Sequence, residues 1–294
     1  MSDFLTQMAV SSRQRAEAAK RQCSESVLLQ KAHATPPPPW VTANPARFDL
    51  IAELKLRSPA VGQLKSSSED VTARVCAYAR AGAAAVSVLT EPSRFDGSMA
   101  HLETAARSLV PLNVPAMRKD FLVDPYQVIE ARAAGAGGVL VIIRMLPRPG
   151  IVELLDCARS LGLFVLLEAF DEADIDAMHD IVGTRTPAPG DTQSAPVLAG
   201  LNCRDLTTLQ IVPERLLSLA HLLPANVPRV AESGVATADD AARVASAGYE
   251  YALVGSALMQ GGDPHALAAA MLKAGRENAT PRRAQHQTAL KGSA

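Results

Sequence analysis

One unit recurs along this chain: an alanine-rich stretch, a glycine, then a short run of β-branched and aliphatic residues. It occurs as ARAGAAAVSVLTE (79–91), ARAAGAGGVLVIIR (131–144), ARSLGLFVLLEA (158–169) and VASAGYEYALVGSA (244–257). The alanine-rich parts favour helix. Gly82, Gly135, Gly162 and Gly248 stand where a left-handed residue would end each one. Helices alternating with strands of this buried type imply a parallel sheet.

Eight such strands can be counted, at 50–55, 84–91, 115–121, 138–144, 164–169, 198–204, 229–234 and 251–257. Helical stretches fill the gaps, among them 70–81, 124–134 and 237–247, the last opened by Thr237 with acidic residues in its first turn. An open doubly wound sheet could use the same elements. Eight repeats in roughly 225 residues fit a closed barrel better, so the predicted fold is α/β, a (β/α)8 TIM barrel over 49–274. Residues 2 to about 31 can form a helix, and TPPPPW (35–40) imposes an extended spacer. The segment 1–48 is therefore predicted to be a helical extension and Pro-rich spacer, an appendage joined to the main fold. Apolar periodicity stops after about Ala274, and 275–294 is predicted to be a disordered tail.

Charge falls in unexpected places. In LIAELK (50–55), strand alternation puts Glu53 and Lys55 on one face with Ile51. Burying both ions in an ordinary sheet would be costly. Lys119, Glu168, Arg204 and Glu232 also stand at the C-terminal ends of strands, as do Glu91, Asn202, Ser233, Gly255 and Ser256. Barrel closure would gather those ends into one rim, where the substrate sites of barrel enzymes lie. Alternation assigns Met117, Lys119 and Phe121 to one face of the third strand, and Leu166 and Glu168 to one face of the fifth. Three carboxylates (Glu53, Glu168, Glu232) would then meet three cations (Lys55, Lys119, Arg204), giving a pocket near charge balance. A lone glutamate at a strand end is more often a loop-side hydrogen-bond acceptor, and Arg118 with Asp120 are expected as a solvated or helix-facing pair. Six ionisable groups converging on one rim read instead as a site.

ESGVAT (232–237) and VGSALMQ (254–260) place Gly and Ser between a strand end and a helix start, where free N–H groups favour an anion. Ordinary tight turns share this composition. Their position after strands seven and eight is the usual phosphate position in such barrels.

Several classes are disfavoured. A net charge of −1 leaves no basic footprint for nucleic acid or anionic membrane, so a small molecule is the expected partner. No apolar run has signal-peptide or membrane-spanning length, and four scattered cysteines without a CxxC pair read as free thiols in a reducing, cytoplasmic setting. GxGxxG, Walker, GxSxG and HExxH patterns do not occur, and the six histidines lack ligand spacing, so neither metal nor cofactor is expected.

IAELKLRSP, AGAAAVSVLTEPSRFDGS, RKDFLVDPYQVIEARAAGA, GLNCRDLTT, VAESGV and ALVGSALM follow one another between about residues 49 and 272. In this order they resemble the successive strand motifs of the indole-3-glycerol phosphate synthase family, RKDFLVDPYQ being the most diagnostic. The resemblance implies a lyase of tryptophan biosynthesis that cyclises 1-(o-carboxyphenylamino)-1-deoxyribulose 5-phosphate with loss of carbon dioxide and water. It implies Lys119 as general acid at the ribulose carbonyl and Glu168 as proton acceptor or donor in dehydration. Lys55 would neutralise phosphate and assist a proton transfer, with Glu53 and Asn202 orienting hydroxyls and lysines. Arg204 would hold the departing carboxylate, while Glu232 and Ser233 complete the wall together with Ser58, Phe121 and Leu253. Phosphate would rest on Gly234, Gly255 and Ser256 beside Lys55. Tryptophan-pathway enzymes are the partners implied beyond the substrate. The chemistry agrees with the residue types: a ketone oxygen gaining negative charge needs a cationic donor, and a lysine with its pKa lowered by neighbours could supply one near neutral pH.

Departures from the family pattern are specific. Leu56, Ala60 and Val61 make KLRSPAVG more apolar than usual, in a loop expected to close over substrate. Cys203 replaces the usual Asn or Ser and is expected to face outward. GTRTPAPGDTQSAP (183–196) reads as a turn-rich insertion. Two other readings therefore stay open: a divergent, noncatalytic barrel that binds a phosphosugar or a partner, and a related phosphosugar isomerase. The isomerase would call for a Cys or Asp acid/base pair where the first strand carries Glu53 and Lys55.

Overall fold

The computed structural model of the 294-residue chain describes residues 3–41, 48–65, 69–183, 196–205 and 208–280. Eight parallel strands form a closed barrel: β1 (Asp49–Leu54), β2 (Ala85–Leu89), β3 (Ala116–Lys119), β4 (Gly138–Ile142), β5 (Phe164–Ala169), β6 (Val197–Asn202), β7 (Arg229–Glu232) and β8 (Tyr251–Val254). Each pairs with its neighbours in chain order, and β8 returns to β1 with Asp49 beside Tyr251. A helix follows every strand, from Val71–Arg80 after β1 to Pro264–Asn278 after β8. Gly82, Gly135, Gly162 and Gly248 have φ of +99°, +87°, +70° and +91°, the left-handed helix ends the sequence predicts.

Alternation along the strands divides the core into two layers. Leu50, Ala52 and Leu54 of β1, with Val86 and Val88 of β2, pack outward beneath the helices. Ile51, Met117, Leu166, Leu198, Val230 and Leu253 fill the barrel. A parallel sheet buried on both faces needs this double apolar pattern.

The inner cluster also takes in residues from outside the barrel. The N-terminal segment is two helices rather than the single one expected, α1 (Asp3–Gln22) and α2 (Glu25–Ala34), separated where Ser24 turns extended as the second helix's N-cap. Leu5, Met8 and Ala9 of α1 are buried with the barrel interior. Polar contacts fasten both helices to the helix Pro125–Ala133 and its approach: Lys20 pairs with Asp124 at 2.6 Å, the Tyr126 hydroxyl donates to Cys23 O at 2.8 Å, and Arg132 donates to Thr35 O at 2.7 Å. The segment is a packed part of the structure rather than a loose appendage.

The last helix runs past Ala274, where the disordered tail was expected to begin, to Asn278; in this turn Gly275 leaves room for the Phe48 ring and Arg276 donates to Phe48 O at 3.2 Å. Residues 281–294 lie outside the described residues, as does the 184–195 part of the stretch read as an insertion. Among the described residues no helix is long and apolar enough to cross a membrane.

Candidate active site

The strand ends open into one cavity of about 430 Å³. Its wall contains every site residue anticipated above: Glu53, Lys55, Ser58, Lys119, Phe121, Glu168, Asn202, Arg204, Glu232, Ser233, Gly234, Leu253, Gly255 and Ser256. Inward alternation accounts for this gathering, since Glu53, Lys119, Glu168, Asn202 and Glu232 end or nearly end their strands on the face shared with the inner cluster. Glu91 does not join them. Its carboxylate turns back to accept from Ser93 N at 2.9 Å and Arg94 N at 2.6 Å, capping the short helix Pro92–Phe95.

Lys55 Nζ lies 2.8 Å from Glu53 Oε1. Lys119 Nζ lies 3.8 Å from each of three carboxylates, Glu53, Glu168 and Glu232. Burial alone would lower the Lys119 pKa, but the charges of Glu168, Glu53 and Glu232 outweigh it and raise it. The expected lowering is thus overturned: three anions around one cation keep it protonated. Burial would raise Glu53, yet Lys55 and Lys119 bring it down. Glu232 goes the other way, pushed well above the carboxylate range by burial and then by Glu168, against the pull of Lys119.

Two glycines make room for these groups. A Cβ at Gly255 would strike the Glu53 carboxylate and come within 3.0 Å of Lys55 Nζ, and one at Gly200 would strike the Glu232 carboxylate and approach Leu166 at 2.9 Å. Neither neighbour is free to move, because both carboxylates are buried. Gly200→Ala is therefore expected to cost about 1–3 kcal/mol by overpacking and to lower turnover, which urea unfolding and steady-state kinetics would check. An alanine variant with parental stability and rate would show that the gap serves nothing.

Directly after Glu232, Ser233 and Gly234 are both left-handed, with φ of +65° and +71°. For serine this conformation costs about 1–2 kcal/mol, and it curls the backbone around the cavity beside Gly255 and Ser256. Arg204 is held by its own surroundings: its N–H donates to Asn202 Oδ1 at 3.0 Å and its guanidinium to Leu209 O at 2.8 Å. Ser58 sits in a small hairpin, Arg57–Ser58 with Gly62–Gln63, that overhangs the mouth. The departure at Leu56 has a packing reason, since this side chain is buried in the sheet–helix layer at the hairpin's base. Val61 is exposed at the hairpin's tip, and Cys203 faces outward into the sheet–helix layer.

The cavity residues that were not anticipated include a set of large apolar side chains: Phe4, Leu5, Phe95, Leu140, Ile142 and Phe170. Alternation on β4 would have given Leu140 and Ile142. Nothing local marks Phe4 and Leu5, which α1 delivers from the far end of the chain. Phe121 stands between Phe4 (ring centroids 5.8 Å, edge-on) and Phe95 (6.1 Å), forming an apolar wall facing the ions.

Arg118 and Asp120 face the helices and are both buried, so the solvated reading is corrected. Arg118 donates to Asp120, Glu130, Thr90 and Gln127 O, and Asp120 accepts a two-pronged pair from Arg15 of α1 at 2.7 and 2.9 Å. Helix α1 is thereby tied to the residue that follows Lys119.

Comparison with known proteins bears on this site. Residues 7–271 match the family model described as indole-3-glycerol phosphate synthase. Curated proteins of that name are similar over most of their length: one from Parafrankia sp. (strain EAN1pec) is 40% identical over 263 residues, covering 89% of this chain and 92% of the relative. One from Mycobacterium ulcerans (strain Agy99) is 36% identical over 275 residues, covering 92% and 95%. Among solved structures, 3-hexulose-6-phosphate synthase from Salmonella typhimurium superposes with a TM-score of 0.59 at 12% identity over 79% of this chain and 100% of that one. Thiamine phosphate pyrophosphorylase from Pyrococcus furiosus gives 0.56 at 16% identity over 80% and 98%. At such identities these two speak for the barrel alone.

Proposed function

The chain belongs to the indole-3-glycerol phosphate synthase family, which catalyses a decarboxylating ring closure in tryptophan biosynthesis, and on that premise we propose how its side chains divide the reaction. The substrate, 1-(o-carboxyphenylamino)-1-deoxyribulose 5-phosphate, carries an aryl carboxylate, a ketone, hydroxyls and a phosphate. The cavity offers each a chemically matched wall. Phe4, Phe121, Leu140 and Ile142 take the aryl ring, Arg204 its carboxylate, and the backbone of Gly234, Gly255 and Ser256 the phosphate, with Lys55 beside Gly255 as counter-charge.

The observation that carries this reading is Lys119 held 3.8 Å from three carboxylates in a largely apolar cavity. As the aryl carbon attacks the ketone, the oxygen gains negative charge. Lys119 meets that charge with a full positive one and then a proton, in a site where such electrostatics act strongly. Carbon dioxide leaves from the carboxylate that Arg204 holds. The new hydroxyl departs as water, with Glu168 handling protons while Glu53 and Asn202 hold the remaining hydroxyls. Ser58, Ser233, Glu232 and Leu253 complete the enclosure. The activity implies a cytoplasmic protein working among other tryptophan-pathway enzymes.

The test is direct: incubate the purified protein with this substrate and follow indole absorbance and released carbon dioxide. Both products should appear together. Tight binding without either would replace this reading with the noncatalytic barrel, and an isomerised sugar phosphate without carbon dioxide would replace it with the isomerase.

A further inference from the structure

The backbone of Gly255 and Ser256 leads into a single helical turn, Ser256–Gln260, whose N-cap makes no side-chain hydrogen bond. So short a helix is not stable by itself. Its place at the cavity must be fixed from outside, and the helix Val71–Arg80 supplies the contacts. Leu258 and Met259 are fully buried in the sheet–helix layer, and Tyr78, also fully buried, donates its hydroxyl to Met259 Sδ at 3.2 Å. Arg74 Nη1 donates to Leu258 O at 3.4 Å, near the end of the turn, where helical carbonyls run out of internal donors. Residues 74 and 78 lie four apart on one helix face. Both address the same turn.

Arg74 is itself held in place. Glu69, on the approach to this helix, meets its Nε at 2.7 Å and its Nη2 at 2.6 Å, and the two side chains are only 12% and 16% exposed. The rigid fork leaves Nη1 for Leu258 O. Stability alone does not account for this pair, because an ion pair so far out of water holds a fold little better than apolar side chains of the same size. Neither Arg74 nor Tyr78 lines the cavity. The turn they grip does, through Gly255, Ser256 and Ala257, and Gly255 lies directly against the Glu53 carboxylate and Lys55 Nζ.

We propose that Arg74 and Tyr78 are positioning residues for the substrate phosphate: they hold the Ser256–Gln260 turn so that the Gly255 and Ser256 backbone keeps its place in the cavity wall. The inference rests on the phosphate position proposed above. It assigns both residues to binding and not to bond making, since Lys119, Glu168 and Glu232 stand on β3, β5 and β7, away from the turn. Losing the grip should weaken phosphate in the bound substrate and in the transition state alike. Such uniform loss raises KM and leaves kcat in place.

Inorganic phosphate is the probe, titrated into the ligand-free protein and followed by amide NMR, with steady-state kinetics on the full substrate beside it. In the wild type the amides of Gly255 and Ser256 should shift. Arg74→Met should bind phosphate about fivefold more weakly, the worth of about one hydrogen bond, and raise KM by a similar factor with kcat within about twofold. Arg74→Lys keeps the charge and the stem but not the fork, and should lie between. Tyr78→Phe changes no charge, so the smaller weakening expected of it separates position from electrostatic attraction. Parental phosphate affinity in Arg74→Met, or a loss confined to kcat, would overturn the proposal. Should that variant fail to fold, parental affinity in both Arg74→Lys and Tyr78→Phe would overturn it equally. Failure of the phosphate position itself looks different: the Gly255 and Ser256 amides of the wild type would not respond to phosphate, and the proposal would fall with it before any variant is made.

Discussion

Replacing Lys119 with alanine is expected to lower turnover by about two orders of magnitude or more, the loss appropriate to a residue that supplies both a proton and a charge. The structure says which contribution leads. Glu168, Glu53 and Glu232 together hold this lysine protonated against the burial that would neutralise it, so it enters the reaction as a permanent cation. Stabilising the developing alkoxide comes first, and the proton follows only once that oxygen has become the stronger base. Lys119→Arg separates the two parts, because a guanidinium keeps the charge but does not give up its proton. Residual activity in the arginine variant, well above that of alanine, is expected. The pH profile follows from the same charges: Lys119 is held up and Glu53 held down, so neither should titrate between pH 6 and 9, and an alkaline limb must come from another group. Steady-state rates of the two variants across that range would decide it. An alanine variant working at the parental rate would remove Lys119 from the chemistry.

How much of this could be read from residues alone depends on how far each feature reaches along the chain. The closed barrel was legible because its unit is local: a helix ended by Gly82 or Gly248, then a strand apolar on both faces, repeated until only closure accommodates the count. The convergence of Glu53, Lys119, Glu168 and Glu232 was legible for a related reason, since a two-residue period and a common strand end fix the direction of each side chain once the barrel closes. What stayed hidden is set by distance rather than pattern. The direction of the Lys119 shift turns on three carboxylates at 3.8 Å, a spacing no alternation rule supplies. Strand period shows that Arg118 points away from the barrel, but its burial is decided by what covers it, including the Arg15 side chain on the neighbouring Asp120. The proline run at 35–40 suggested separation between α1 and the barrel, whereas the chain doubles back so that Phe4 meets Phe121.

Asp120 should prove the most damaging single position for stability, although it lies outside the cavity's ionic cluster. Its buried carboxylate accepts from Arg15 at 2.9 and 2.7 Å, Thr90 at 2.8 Å, Arg118 at 3.2 Å and the Phe121 N–H at 2.8 Å. Asp120→Ala would strand Arg118 in the sheet–helix layer with Glu130 as its remaining ionic partner, and a buried pair broken on one side costs about 3–5 kcal/mol. Arg15→Ala should cost less, about 1.5–3 kcal/mol for lost charged hydrogen bonds, because the Arg118–Asp120 pair survives it. Its effect should fall instead on activity, through α1 and the Phe4–Phe121 contact that α1 carries. The pH dependence gives a second, independent reading. Burial would raise the Asp120 pKa, but the Arg15 hydrogen bonds and the Arg118 and Arg15 charges hold it well below the carboxylate range. A carboxylate depressed on folding contributes fully above its unfolded value, about 3.9, and loses that contribution as pH falls toward the folded one. The stability gap between wild type and Asp120→Asn should therefore be constant from pH 8 to 5 and narrow below about pH 4. Urea midpoints measured at pH 7 and pH 3 would show it, and an equal gap at both would mean that the Asp120 charge does not hold this seam together.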